Sequence, residues 1–391
     1  MIEKNSQTHS DGADSSDEVR QFSRVDGESV RFGTGWISGV AAIALSGAGL
    51  LVVLCIRFPS IFTMSVLREY YPIPIVRALL YVVITSGFLF GILSLVLRRR
   101  KVLGTTAIVF ALFAGLLGGA QIQLPIAPDG SAPAQSLLSV DWFVLNLMFW
   151  CALFIPLERW FALRAEQPVF RHGWRTDLSY FFASTLAVQW VAILTMKPAQ
   201  ILFSWVIDES WRTSVANQPL ALQVLEILLV TDFVQYWIHR AFHRIPLLWR
   251  FHAIHHSAER MDWLAGSRLH IVDILLTRGC TYMPLFILGF ADLALLTYGV
   301  IVTLQATFVH ANLRFTFGPL RYFLVTPQFH HWHHSDQSEA IDKNFAIHLP
   351  IWDWMFGSYH LPDRRWPDHY GVQGERPPEG FLKQLLWPFK R

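Results

Sequence analysis

Long apolar stretches, separated by short polar segments, are the main pattern of this sequence. A helix that crosses a bilayer needs roughly 20 mostly apolar residues, and four stretches meet that test, Trp36–Ile56, Pro74–Leu97, Val102–Ala120 and Val140–Trp160. Four further stretches are candidates, Leu178–Thr195, Leu220–Ile238, Ile271–Phe290 and Ala291–His310. The pattern predicts an all-α integral membrane protein with about eight membrane-spanning helices, of which the last two form a tight hairpin.

Polar segments divide the chain into four parts. Residues 1–31 are rich in Ser, Asp, Glu and Gly, a composition typical of a disordered tail, and they lack the pattern of a cleaved signal peptide. Residues 32–122 hold the first group of spans, and residues 140–360 hold a second membrane domain with its histidine-rich core at 226–360. Residues 361–391 contain several prolines together with Trp366, Trp387 and Phe389, which predicts a C-terminal tail that lies along the membrane.

Lys and Arg clusters indicate which loops face the cytoplasm, because cytoplasmic loops carry an excess of these residues. The strongest markers are the run Arg98–Lys101 and the arginines of the next such loop, Arg159, Arg164, Arg171 and Arg175. They predict that both termini, residues 239–268 and everything after His310 are cytoplasmic. The predicted location is a bacterial inner membrane.

Composition argues against nucleic-acid binding and against a structural or metal-binding role for the cysteines. Hydrophobic residues make up 53% of the chain, mean hydropathy is +0.35, and the formal net charge is only +3, without the clustered basic face that nucleic-acid binding needs. The three cysteines, Cys55, Cys151 and Cys280, lie in apolar stretches without CxxC spacing. Neither a disulfide framework nor a cysteine metal site is therefore expected.

The histidines are ordered rather than scattered. Eight of them form three motifs, which are His239 and His243, then His252, His255 and His256, then His330, His333 and His334. Residues three and four apart lie on one face of a helix, so each motif presents a set of imidazoles that suits metal binding. Asp232 and Tyr236 lie on the same helical face as His239 and could orient the imidazoles. Imidazole binds Zn, Cu, Fe and Ni alike, so the spacing does not choose the metal.

The order of several motifs resembles a known superfamily. These are the segment from Asp232 to His243, the HAIHHS segment from His252, the PQFHHWHH segment from Pro327, the pair Asn344-Phe345, and the segment Trp352–Gly357. Together they resemble the fatty acid hydroxylase and sterol desaturase superfamily over about residues 226–360.

This resemblance implies a chemistry and a ligand set. It implies a non-haem di-iron centre at the cytoplasmic membrane surface, which uses dioxygen to remove hydrogen from a C–H bond of a lipid. The eight motif histidines would bind iron, and His310 and His270 are additional candidates. His331 lies off the face of its neighbours and is left out, and His348 occupies a loop position.

Electrons would come from a separate donor protein of the cytochrome or ferredoxin type. The chain has no CxxCH haem motif, no four-cysteine cluster and no placed GxGxxG loop. Arg240, Arg244 and Arg250 are candidates for its docking surface, and they are also explained as interfacial anchors.

Alternatives remain open for the enzyme class and for the substrate. A zinc-dependent membrane hydrolase would also use paired histidines, but its HExxH motif places Glu where this chain has Arg240. A metal carrier would need ionisable residues along its spans, and these are scarce. The residues distinguish neither a fatty acyl chain from a sterol or another isoprenoid lipid nor hydroxylation from desaturation.

Overall fold

The computed structural model describes residues 24–25, 28–29, 35–68, 70–121, 140–363 and 365–390. The regular secondary structure of this described part is helical apart from two isolated bridges and one short antiparallel pair, Arg24–Val25 with Glu28–Ser29, which confirms the predicted all-α class. The chain divides into two compact units, residues 1–141 and 142–391. The predicted disorder of residues 1–31 concerns residues that, apart from the short pair, lie outside the described part.

The first unit consists of helices that pack through small side chains. Its helices are Trp36–Arg57, Pro59–Phe62, Ser65–Arg68, Ile73–Leu97 and Val102–Leu116, followed by the 3-10 turn Gly119–Gln121. A Cβ atom on Gly87 would lie 2.8 Å from the backbone nitrogen of Ser46, and one on Gly104 would lie 2.6 Å from the carbonyl oxygen of Gly91. Small residues at these crossings let the backbones of membrane helices approach closely.

The second unit carries all the histidine motifs. Its helices are most of Val140–Trp160, then Trp174–Leu186, Val188–Phe203, Glu209–Ala216, Leu220–Arg244, Pro246–His256, Ile271–Leu288, Asp292–Phe308, Pro327–His333, Ile351–Met355 and Phe381–Leu386. The 3-10 turns in this unit are Ser204–Val206, Ala265–Ser267, Gly318–Tyr322, Ser338–Ala340 and Trp387–Phe389.

Six described helices are long and apolar enough to cross a membrane, which are Trp36–Arg57, Ile73–Leu97, Val102–Gln121, Val140–Trp160, Leu220–Arg244 and Ile271–Leu288. The stretch Leu178–Thr195, predicted as one span, lies across two helices that bend by 52°, and counting this bent pair as a span gives seven. Asp292–Phe308 is shorter, at 17 residues. The chain is therefore a multi-pass integral membrane protein, and its described part contains six or seven candidate spans against the approximate eight predicted.

The end of the Val140–Trp160 helix holds two loops next to the histidine motifs. The Glu158 carboxylate accepts hydrogen bonds from the backbone N–H groups of Trp263, at 2.7 Å, and Asn312, at 2.9 Å. Around it lies a core cluster of buried residues, Trp150, Phe154, Phe181, Trp263, Leu264, Ala311 and Leu313. The segment that follows His310 is thereby fixed against a span.

The C-terminal segment packs onto the second unit. Trp387 is buried against Tyr180, Ala253 and Ile254, whereas Phe389 is exposed. Trp387 therefore faces protein rather than the membrane surface for which it was suggested. That the rest of residues 361–391 lies along the membrane stays a prediction.

Candidate metal centre

Two helices joined by a single residue bring the first two histidine motifs together. His239 and His243 lie at the end of Leu220–Arg244, Ile245 is extended, and Pro246 begins the next helix. Proline is favoured at a first helical position because its missing N–H has no helical partner there. The resulting sharp turn places the imidazole ring centres of His243 and His252 5.1 Å apart.

The third motif lies on a short helix with clear start signals. The Thr326 hydroxyl accepts a hydrogen bond from the backbone N–H of Phe329, and Pro327 occupies the first helical position. All seven residues of this helix, Pro327–His333, are buried. Its imidazoles therefore point into the protein interior, where the other two motifs also converge.

The imidazoles form two groups, in each of which the candidate ligand atoms all lie within 4.8 Å of one another. The five-imidazole group consists of His239, His243, His252, His256 and His333, and the four-imidazole group of His255, His310, His330 and His334. All eight predicted motif histidines are included, and His310, suggested by the resemblance, completes the second group. The second and third motifs each contribute to both groups.

Ring nitrogens face one another in a way that hydrogen bonding does not explain. His239 and His252 each donate their Nδ1 proton outward, to the Phe345 carbonyl at 2.7 Å and the Asp273 carboxylate at 2.6 Å. In neutral imidazoles, both Nε2 atoms then carry lone pairs, yet these atoms lie 3.0 Å apart. A cation held between them would turn this repulsion into attraction.

The four-imidazole group repeats this arrangement. His255 and His310 donate from Nδ1 to the carbonyls of Arg268, at 3.2 Å, and Ala306, at 2.7 Å, while their Nε2 atoms lie 3.2 Å apart. In the five-imidazole group, Nε2 of His243, His256 and His333 is buried without a hydrogen-bond partner in the described structure. Buried unpaired nitrogens are costly, so both groups fit a bound metal ion.

Burial also sets the protonation state of the imidazoles outside the spans. Burial and then neighbouring imidazoles lower the pKa values of His255, His256, His330, His333 and His334 well below the usual histidine range. Burial lowers the pKa of His310 to about 4. These imidazoles are neutral at physiological pH, which is the form that binds metals.

Asp232 and Tyr236 do not contact the imidazoles directly, because neither hydrogen-bonds an imidazole among the described residues. The Asp232 carboxylate accepts three backbone N–H groups, from Ile347 and His348 at 2.9 Å and from Leu349 at 2.7 Å. The Tyr236 hydroxyl lies 2.8 Å from that of Ser358. Both therefore act on the loop at 344–349 and on the segment after it, rather than on the imidazoles directly.

That loop contacts the candidate ligands through the backbone carbonyl and the ring of Phe345. Asn344 has a positive φ of 60°, which asparagine tolerates better than most residues, and its side chain bonds the Phe329 and His360 backbones. The Asp353 carboxylate accepts the N–H groups of Phe345 and Ala346, at 2.8 Å each. The fixed Phe345 carbonyl is the acceptor for His239, so these residues orient that imidazole indirectly.

His270 and His331 lie outside both groups. His270 Nδ1 accepts the backbone N–H of Val272 and so caps the Ile271–Leu288 helix, while its Nε2 lies 3.1 Å from the Leu385 carbonyl. His331 contacts the Tyr370 hydroxyl at 2.9 Å and the His310 carbonyl at 3.3 Å. Neither residue is therefore among the candidate ligands of the two groups.

Alanine variants should distinguish the role of His310, a candidate metal ligand, from that of His270, a helix cap. We expect His310→Ala to lower bound metal from about two ions per chain to about one. His270→Ala should keep both ions and cost about 1 kcal/mol of stability, as loss of a helix cap does. Metal analysis and thermal unfolding of both variants test this, and metal loss in His270→Ala alone would contradict it.

Asp273 is the functional candidate that the sequence interpretation missed. Its carboxylate receives the Nδ1 proton of His252 from the first turn of the Ile271–Leu288 helix. The available signal was the single acidic residue of the predicted span Ile271–Phe290, three positions after His270. Nothing in local spacing connects that residue to His252, which lies 21 positions earlier.

Comparison with known proteins identifies the region that contains this centre. The sequence model of the fatty acid hydroxylase family matches residues 224–358. The chain carries a fatty acid hydroxylase domain. This hydroxylase domain includes all nine imidazoles of the two groups, and it confirms the superfamily resemblance seen in the motifs.

Several curated proteins are similar to the hydroxylase domain and its surroundings. Ornithine lipid hydroxylase OlsE of Rhizobium tropici is 35% identical over 173 residues, covering 44% of this chain and 52% of that protein. Human alkylglycerol monooxygenase is 32% identical over 139 residues, covering 35% of this chain and 30% of that protein. The rice very-long-chain aldehyde decarbonylase GL1-7 is 26% identical over 159 residues, covering 38% of this chain and 24% of that protein.

These matches are partial. The chain spans about half the length of the bacterial relative and about a third or less of the human and rice relatives. No solved structure matches this chain.

Proposed function

We propose that this protein is a non-haem di-iron oxidoreductase that uses dioxygen to hydroxylate or desaturate a C–H bond of a membrane lipid. The observation that carries the proposal is the pair of buried imidazole groups, with ring nitrogens facing one another, inside a hydroxylase domain. Two of the similar proteins are named as a lipid hydroxylase and an alkylglycerol monooxygenase, which supports a lipid substrate.

The five-imidazole and four-imidazole groups would each hold one iron ion. Iron, when bound, supplies the oxidation of the C–H bond by dioxygen. The residues of the chain keep the imidazoles neutral and oriented, and their burial excludes water. Hydroxylation would consume one dioxygen, two electrons and two protons, placing one oxygen atom in the lipid and releasing the other as water.

The geometry favours this oxidation over zinc-dependent hydrolysis. A zinc hydrolase needs a carboxylate beside the metal as general base, and among the described residues neither group contains one. Glu259, the nearest acid to the second motif in sequence, pairs with Arg376 at 3.1 Å on the exposed surface. Asp273 lies behind His252, on the side away from the group.

The proposed substrate reaches the metals from the membrane. A cavity of about 520 Å³ lies beside Tyr370, but its lining is charged, with Arg260, Glu166 and Asp336 among the residues, and it includes no candidate ligand. An apolar chain is poorly matched to such a lining. The Leu220–Arg244 and Ile271–Leu288 spans, by contrast, carry His239, His243 and Asp273 at their ends.

A separate redox protein would deliver the electrons, on the side that carries the histidine motifs. Of the three arginines suggested for its docking, Arg240 is engaged with the Tyr236 hydroxyl at 2.9 Å, and Arg250 bonds the carbonyl of Lys390. Arg244 is 59% exposed and lies 3.3 Å from Asp342. Arg244 is therefore the arginine of the three that we propose for the contact.

Lipid analysis with labelled dioxygen tests the proposed reaction. Cells that produce the wild type should contain a lipid that is absent when His333→Gln is produced, whereas His172→Gln, at an exposed histidine, should behave as the wild type does. A gain of one labelled oxygen indicates hydroxylation, and a loss of two hydrogens indicates desaturation. An identical product in cells that produce His333→Gln would contradict the proposal.

A further inference from the structure

Asp273 is a side-chain carboxylate that accepts the Nδ1 proton of a candidate ligand. Its Oδ2 atom lies 2.6 Å from Nδ1 of His252, and its Oδ1 atom accepts the Thr277 hydroxyl at 3.2 Å. In the described structure, the outward nitrogens of His239, His255, His310 and His333 meet backbone carbonyls instead, those of Phe345, Arg268, Ala306 and Lys343. One imidazole of the five-imidazole group is thus bound by a carboxylate side chain rather than by a backbone carbonyl.

A second carboxylate lies near the same group without making this contact. Asp342 is 3.9 Å from Nδ1 of His243, beyond hydrogen-bond distance, and it pairs with Arg244 at 3.3 Å. Asp273, by contrast, is buried and has no Lys or Arg partner among the described residues. A buried carboxylate without a Lys or Arg partner is costly unless a nearby cation compensates it.

We infer that Asp273 is a positioning residue that makes the five-imidazole group the tighter of the two metal sites. This rests on the proposed function only in that both groups bind a metal ion. By accepting the Nδ1 proton, Asp273 fixes His252 in the tautomer whose Nε2 lone pair faces the group, 3.0 Å from that of His239. A carboxylate partner also makes the imidazole a stronger donor than a carbonyl partner does.

The charge of Asp273 and the number of ligands both favour tighter metal binding by the five-imidazole group. The Asp273 carboxylate adds a negative charge close to one metal position, whereas the four-imidazole group has no carboxylate on its hydrogen-bonded ligands among the described residues. The carboxylate itself lies in the first turn of the Ile271–Leu288 helix, where the helix dipole stabilises negative charge. The five-imidazole group also offers one more nitrogen.

Cobalt titration of the metal-free, full-length protein in lipid nanodiscs tests this inference through its visible absorption bands. The wild type should bind Co²⁺ in two steps, of which His256→Ala removes the tighter and His334→Ala the weaker. Asp273→Asn should weaken the tighter step by about 10- to 100-fold and leave the weaker step unchanged, as loss of a partner behind a metal ligand does. Asp342→Asn, the matched control, should change neither step.

Two measurements keep the inference open to refutation. Circular dichroism of the metal-free variants establishes that Asp273→Asn is folded. X-ray absorption of the wild type with one cobalt per chain needs no variant, and it should show five nitrogen neighbours rather than four. A first cobalt in the four-imidazole group, or two steps that Asp273→Asn leaves unchanged, would overturn the inference alone, whereas no cobalt binding would overturn the proposed function as well.

Discussion

Alanine at His256 or at His334 should reduce lipid oxidation to background, and each variant should lose about one of two metal ions. The two residues belong to different groups, five-imidazole for His256 and four-imidazole for His334. If oxidation needs both ions, emptying either site is sufficient to abolish it. Product formation and metal content, measured on the same preparations, test both parts of this expectation.

The matched control for this pair is His331→Ala. His331 is buried in the third motif between His330 and Trp332. Its ring contacts the Tyr370 hydroxyl and the His310 carbonyl, and it belongs to neither imidazole group. We expect this variant to keep both metal ions, although its stability should fall. Normal oxidation by either His256→Ala or His334→Ala would show that the emptied group has no part in the reaction.

Asp262→Ala should destabilise the protein by about 3–5 kcal/mol, because it leaves a buried arginine without its main partner. The Asp262 carboxylate binds the Arg171 guanidinium through two bonds, of 2.6 and 2.8 Å, and Arg171 is only 1% exposed. Asp177 binds the same guanidinium at 2.7 Å and offsets part of the loss. Denaturant unfolding in micelles measures the change.

A neighbouring ion pair provides the control. Glu259 and Arg376 lie 3.1 Å apart with both side chains about 60% exposed, so Glu259→Ala should cost no more than about 1 kcal/mol. Asp177 also binds Arg268, whose carbonyl receives the Nδ1 proton of His255. Asp262→Ala should therefore also weaken metal binding in the four-imidazole group, and equal stability losses in the two variants would contradict this account.

The candidate ligands were accessible to sequence reasoning because helical spacing is a local property. His252, His255 and His256 share one short helix, so their i, i+3, i+4 pattern already predicted convergent imidazoles. The spacing did not reveal that His255 faces a different group from its two neighbours. That division depends on where the His310 segment and the third motif pack, which only the tertiary structure determines.

The predictions that failed have different causes. Asp232 lies on the face of His239 as predicted, yet the backbone of residues 347–349 occupies its carboxylate. The bend within Leu178–Thr195 was also missed, because hydropathy has no signal for the non-helical Ala187, with φ −84° and ψ 2°, in a stretch without glycine or proline. His270, chosen by resemblance, caps a helix.

The most direct test of a di-iron centre is anomalous X-ray scattering from crystals of the purified protein, recorded on both sides of the iron absorption edge. We predict two anomalous peaks in each chain, one among His239, His243, His252, His256 and His333, and the other among His255, His310, His330 and His334. A single peak, peaks outside the two groups, or a signal that appears only at the zinc edge would contradict the account.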